Sequence, residues 1–127
     1  KADSAEAEAA LAALALRSRR SEVPDMLLRI QIGQEKRFKE QNSYVSAALY
    51  PPLSTGKIRL WVDTDSGQFK DLDFPKPKEV RGSYWVDLTE KSYRAVGIID
   101  ADADGEYATY VATPGTPPKA LTSEAVY

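Results

Sequence analysis

The 127-residue sequence contains no cysteine, no histidine and a single methionine. Without cysteine there is no disulfide framework, no thiolate zinc site and no thiol nucleophile; without histidine there is no Ser-His relay. No run of about 18 apolar residues occurs, so no segment reads as a helix that crosses a bilayer. A glycine-rich phosphate loop is also missing. Charge of one sign is not in excess: 17 Lys and Arg stand against 19 Asp and Glu, a net charge of -2. The basic stripe of a nucleic-acid binder is therefore absent, and no nucleic-acid partner is expected. What remains is 43% apolar and 28% charged residues, the composition of a chain that folds around one core.

The first half reads as helical. Seven of the twelve residues from Ala5 to Leu16 are alanine, the strongest helix former. Asp3 or Ser4 can cap this segment; Glu6 and Glu8 suit its positive end, and Arg17, Arg19 and Arg20 its negative end. Leu11, Leu14 and Leu16 make only a thin apolar stripe, so residues 1–20 read as an alanine-rich, solvated lead-in. From Ser21 the pattern changes. Val23, Leu27, Ile30, Gln34 and Phe38 recur at steps of four, three, four and four, the spacing of one buried helix face. Pro24 fits either the first turn of a helix capped by Ser21 or a kink in a helix continuing from residue 16. The helix is expected over 21–43, ending at Gln41-Asn42-Ser43, with Tyr44 folding back as an aromatic plug. The expected helix–sheet core is Val23, Leu27, Ile30, Phe38 and Tyr44.

The second half alternates. Ile58, Leu60 and Val62 point one way and Arg59, Trp61 and Asp63 the other; Asp65-Ser66-Gly67 marks a turn. Tyr84, Val86 and Leu88 form a second strand with Trp85 on its opposite face. Tyr93, Ala95, Gly97 and Ile99 form a third, and Tyr107, Thr109 and Val111 a fourth. Pro114, Pro117 and Pro118 end regular structure. The expectation is an α+β domain over 21–127, with one amphipathic helix covering a four-stranded antiparallel meander at 57–112 and a Pro-rich tail at 113–127.

With histidine and cysteine absent, an enzyme would have to work with carboxylates, Lys and Tyr. Asp63, Asp65, Asp71, Asp73 and Asp87 lie on turns or outward strand positions, where a solvated surface charge is the ordinary role. No pair of them points to hydrolysis, and no catalytic residue is expected. Trp61 and Trp85 offer a platform for a sugar or a partner if they face solvent. One motif has more content. Asp100-Ala101-Asp102-Ala103-Asp104-Gly105 places carboxylates at alternate positions and glycine at the sixth, as in the first half of a calcium loop. A bidentate Glu at the twelfth position would fall at Val111, so the motif is not an EF-hand. Its alternatives are a calcium-dependent adhesive or ligand-binding site at Asp100, Asp102 and Asp104, and an acidic hairpin turn.

Ser21-Glu22, followed by Leu27, Ile30, Gln34, Phe38 and Tyr44, resembles the segment that leaves the membrane helix in type IV pilins. Arg17-Ser18-Arg19-Arg20 resembles the basic stretch before it, and Phe69-Lys70-Asp71-Leu72-Asp73-Phe74 a family pattern ahead of the sheet. Asp100 to Gly105 with Tyr107-Ala108-Thr109-Tyr110 resembles the acidic hairpin that leads to the last strand. The resemblance runs from Arg17 to Tyr110. It implies a non-catalytic structural subunit that polymerises with other pilins through the pilus assembly machinery, in an extracellular filament assembled from the inner membrane. A secretion-system pseudopilin is the neighbouring alternative. Two features depart from the family: the disulfide common in classical pilins is impossible here, and a charged, alanine-rich stretch stands where the apolar N-terminal helix would be. The resemblance therefore implies that membrane contact runs only through a hydrophobic helix half missing from this chain.

Overall fold

A computed structural model describes residues 2–127, and the side chains from Ser4 onward. The cap expected from the Asp3 side chain lies outside the described side chains. Ser4 lies inside a helix rather than at its end, because helix α1 runs from Ala2 to Arg20. Helix α2 follows at Glu22–Gln41, separated from α1 by Ser21 alone. Ser21 keeps helical angles, φ -64 and ψ -14, and makes no side-chain cap; its hydroxyl instead donates to the Ser18 carbonyl at 2.6 Å. The two helices thus follow one another with almost no break. Pro24 sits in the first turn of α2, where its missing N–H costs least. Asn42 ends α2 in the left-handed region at φ 55, its N–H donating to the Phe38 carbonyl, a standard way to satisfy a last-turn carbonyl.

Strands β1 (Ala47–Tyr50), β4 (Ser83–Thr89), β5 (Ser92–Ile99), β6 (Ala108–Thr113) and β7 (Thr116–Ala120) form one antiparallel sheet in the order β1-β4-β5-β6-β7. Strands β2 (Arg59–Leu60) and β3 (Glu79–Val80) pair separately, with two 3-10 turns, Asp63–Asp65 and Gly67–Asp71, between them. The fold is α+β, with α2 laid on an antiparallel sheet. The sheet has five strands rather than the expected four: the expected strand at 58–62 is not part of it, and 47–50 and 116–120, the latter inside the expected Pro-rich tail 113–127, are. Residues 47–50 and 116–120 are short edge strands, and their sequences, Ala-Ala-Leu-Tyr and Thr-Pro-Pro-Lys-Ala, carry no clean alternation. Proline is tolerated in β7 because an edge strand leaves one side of its backbone unpaired.

Register sets the core. Ala47, Val86, Ala95 and Ala112 form one inward row, and Tyr50, Tyr84, Gly97 and Tyr110 the next. Val23, Met26, Leu27 and Ile30 of α2 are buried against these rows together with Tyr84, Tyr93, Ala95 and Ile99. Gly97 lies directly beneath the helix: a Cβ there would sit 2.6 Å from the Val23 side chain and 2.8 Å from the Tyr84 ring. The small residues on β5 and β6 let the helix approach this closely.

Four inward assignments differ from the sequence pattern, the first being Leu88 of β4, which is 49% exposed. Phe38 is 39% exposed, not core; it borders an open cleft with Leu88, Thr89 and Ser92 of the β4–β5 hairpin, and its ring stacks on Tyr44 at 4.7 Å. Half-buried Tyr44 in turn meets Tyr93 edge-on at 4.7 Å. In β6 the inward residues are Ala108, Tyr110 and Ala112, not Tyr107, Thr109 and Val111. Around β2, Ile58, Leu60 and Val62 are all exposed while Trp61 is buried.

Candidate functional site

The acidic loop begins where β5 leaves the core. Ile99 is buried and Asp100 follows it fully buried, although it is a carboxylate. A buried carboxylate requires hydrogen bonds, and the loop supplies them from its own backbone. Asp100 Oδ2 accepts the Gly105 N–H at 2.9 Å and Oδ1 accepts the Asp104 N–H at 3.1 Å. That wrap forces the chain through left-handed angles at Ala103, φ 58, and at Gly105, φ 85. Glycine at 105 relieves the second of these. Asp102 accepts the same Asp104 N–H at 3.3 Å, and Asp104 accepts the Glu106 N–H at 2.8 Å.

The loop is held from two further sides. The backbone of Gly56 packs on it so closely that a Cβ would lie 2.3 Å from the Asp100 carbonyl oxygen. From the C-terminal segment, the Tyr127 carbonyl accepts the Ala101 N–H. Arg20, at the end of α1, binds this segment in turn. It donates to the carbonyls of Glu124 and Val126 at 2.6 and 2.8 Å and lays its guanidinium 4.6 Å from the Tyr127 ring centre.

Asp100, Asp102 and Asp104 come together as their alternate spacing proposes: one carboxylate oxygen of each lies within 4.8 Å of the others. The environments of the two exposed ones differ. Partial desolvation, with a hydrogen bond shared with Asp104, raises the Asp102 carboxyl above the usual range; the Glu106 N–H holds Asp104 below it. Three converging hard oxygens are half of what calcium takes, and the remainder would have to come from backbone carbonyls or water.

The tryptophans do not form a shared platform. Trp61 is buried in an aromatic cluster, edge-on to Tyr50 at 4.9 Å and to Phe69 at 5.5 Å. Residues 58–62 bury the face opposite to the expected one: Ile58, Leu60 and Val62 face solvent because Trp61 packs into this aromatic cluster. Trp85 does lie on the outer face of the sheet, half-buried, with its Nε1–H donating to Asp87 at 3.2 Å. With Leu49, Leu53 and Ile98 it lines a shallow groove of about 460 Å³.

Two polar clamps fix the helix to the sheet, and both lie outside the residues expected to form a site. Glu22 accepts the backbone N–H of Arg81 at 2.7 Å and of Gly82 at 2.9 Å, and the Tyr84 hydroxyl at 2.5 Å. Gln34 is fully buried: its amide donates to the Val45 carbonyl at 2.6 Å and its oxygen accepts the Val45 N–H at 2.9 Å. The position of Gln34 on an otherwise apolar stripe is a visible signal. For Glu22 a first-turn acid has an ordinary helix-dipole explanation, which hides the clamp. Arg59 similarly reaches the carbonyls of Arg81 and Gly82 at 3.1 and 3.0 Å.

No family model, no curated protein and no solved structure matches this chain.

Proposed function

We propose that the chain is a structural subunit of a type IV pilus-like filament, with no catalytic role. The observation that carries this reading is the division of the helix. Its second half, α2, is clamped to the sheet by Glu22, Gln34 and a buried stripe. Its first half, α1, is exposed along its described side chains, of which only Ala13, Leu16 and Arg20 are partly covered. A head carried on a helix that continues past it is the shape a filament subunit needs, because the free half is available to other subunits. The motifs from Arg17 to Tyr110 that resemble type IV pilins support the same assignment. Partners would then be further copies of the subunit and the assembly machinery, and the filament would stand outside the cell. A pseudopilin of a secretion system would share the geometry. The test is immunogold electron microscopy of the source cells with antibody against residues 21–127. Label along thin surface filaments supports the reading; label confined to the cell body contradicts it.

A second reading rests on the converged carboxylates of Asp100, Asp102 and Asp104, which suit a calcium-dependent adhesive or ligand-binding loop. Calcium bound only by the folded chain would stabilise it by mass action. On this reading the melting temperature rises in millimolar calcium and returns with chelator, and Asp102→Ala removes the rise. A melting curve indifferent to calcium leaves the loop as an acidic hairpin turn.

A further inference from the structure

We propose that α1 pairs antiparallel with the α1 of a second copy. The partner is written into the order of its residues. Glu6-Ala7-Glu8 and Arg17-Ser18-Arg19 stand symmetrically about the midpoint of Ala12 and Ala13, and so do Leu11 and Leu14, and Ser4 and Ser21. Ser4, Ala7, Leu11, Leu14, Ser18 and Ser21 recur at alternating steps of three and four, so they form one stripe along the helix. That stripe is exposed throughout, with Leu11 66% and Leu14 56% accessible. Leu16 and Arg20, which touch the chain's own body, lie on the opposite side of α1. The stripe is therefore free to meet another helix, and its serines and alanines permit close approach.

Charge selects the orientation. At 3.6 residues per turn, Glu8 and Arg19 lie on one flank of the stripe and Glu6 and Arg17 on the other. Within the described residues none of the four is in an ion pair. Antiparallel pairing about a two-fold axis sets each flank against the same flank of the partner. Glu8 then faces Arg19, Glu6 faces Arg17, and the reverse pairs repeat by symmetry, while Leu11 packs on Leu14. Parallel pairing brings opposite flanks together, with Glu6 near Glu8 and Arg17 near Arg19, and like charges repel. The two heads leave from opposite ends of the pair and do not compete for space. A pair of short helices with two leucines each buries less than the roughly 1,200 Å² of a standard interface. The dimer is therefore weak and sensitive to salt. The pairing does not depend on the filament reading.

Sedimentation equilibrium of the whole chain at low salt, from micromolar to millimolar, tests this. The average mass is expected to climb from 14.0 kDa towards twice that value, and less so in high salt. Leu11→Glu with Leu14→Glu is expected to hold it at the monomer, with circular dichroism verifying the fold. Orientation is read by oxidative cross-linking, since the chain has no native cysteine. Ala7→Cys and Ser18→Cys chains are expected to link to each other when mixed, and not to themselves. A monomer at every concentration overturns the proposal, and so does rapid self-linking of each variant alone.

Discussion

Gln34 carries more at the residue scale than its polarity suggests. It occupies the apolar stripe of α2 and bridges both backbone groups of Val45, eleven positions on, in the coil before β1. Gln34→Leu keeps the volume but leaves two buried backbone groups without partners, each worth about 1–3 kcal/mol. Chemical denaturation is expected to show a loss above about 2 kcal/mol; near-neutrality would mean that water reaches Val45. Two tyrosines make the fold sensitive to alkali. Burial pushes the phenols of both Tyr84 and Tyr93 upward, with the Glu22 carboxylate adding to the effect at Tyr84. Unfolded tyrosines ionise near pH 10. The stabilising preference for the neutral phenol is thus fully present below about pH 10 and is lost as pH rises beyond it. Melting temperature is expected to fall above that pH. The two hydroxyls differ otherwise: that of Tyr84 donates to Glu22, whereas that of Tyr93 is buried without a partner. Tyr93→Phe is therefore expected to leave neutral-pH stability equal or higher and to flatten the alkaline fall. Tyr84→Phe is expected to lower stability at neutral pH by about 1.5–3 kcal/mol, because it removes a hydrogen bond to a charged group. The reverse order of the two variants would contradict these assignments.

At the scale of elements, periodicity located α2 well and its inner face almost completely, because one covering helix imposes a single buried stripe over several turns. It failed at Phe38, which stacks on Tyr44 beside an open cleft at the β4–β5 hairpin instead of entering the core. Phe38→Ala is accordingly expected to cost about 1 kcal/mol, the scale of one exposed aromatic stack, against 2–5 kcal/mol for Leu27→Ala or Ile30→Ala in the core. Equal losses at all three positions would mean that Phe38 is buried after all. The strands were harder. In β4 and β5 alternation finds the inner face from Tyr84 and Val86 and from Tyr93 through Ile99, but it fails at Leu88, which is exposed at the hairpin end. In β6 the inner face is Ala108, Tyr110 and Ala112, with the two alanines fully buried, while the larger Thr109 and Val111 face outward. Size alone then points the wrong way. Gly97 belongs to the close contact with α2, and Gly97→Ala is expected to destabilise by about 1–3 kcal/mol through overpacking. A neutral Gly97→Ala would show that α2 can lift from the sheet. The acidic loop was legible as a motif, since its carboxylates are spaced for convergence in the sequence itself. Its ties to Gly56, Tyr127 and Arg20 were not, because each arises from contacts between distant parts of the chain.

The whole molecule is a sheet-backed head that grips one half of a long helix and leaves the other half free. That division explains why α1 and α2 differ in composition: α2 alternates buried and charged faces, while α1 is alanine-rich with Leu11 and Leu14 in solvent. No helix of the described residues is apolar and long enough to cross a membrane. On the pilin reading, an apolar helix of about 20 residues ahead of Arg17 holds the subunit in the membrane before assembly. The most direct measurement is complementation of a cell that has the assembly machinery but lacks its own subunit, with surface filaments counted by electron microscopy. The chain from Arg17 onward, carried on such an apolar helix, is expected to restore filaments; Lys1–Tyr127 alone is expected to restore none. A membrane-anchored form that accumulates beside working machinery and never polymerises would contradict the assignment of this chain as a filament subunit.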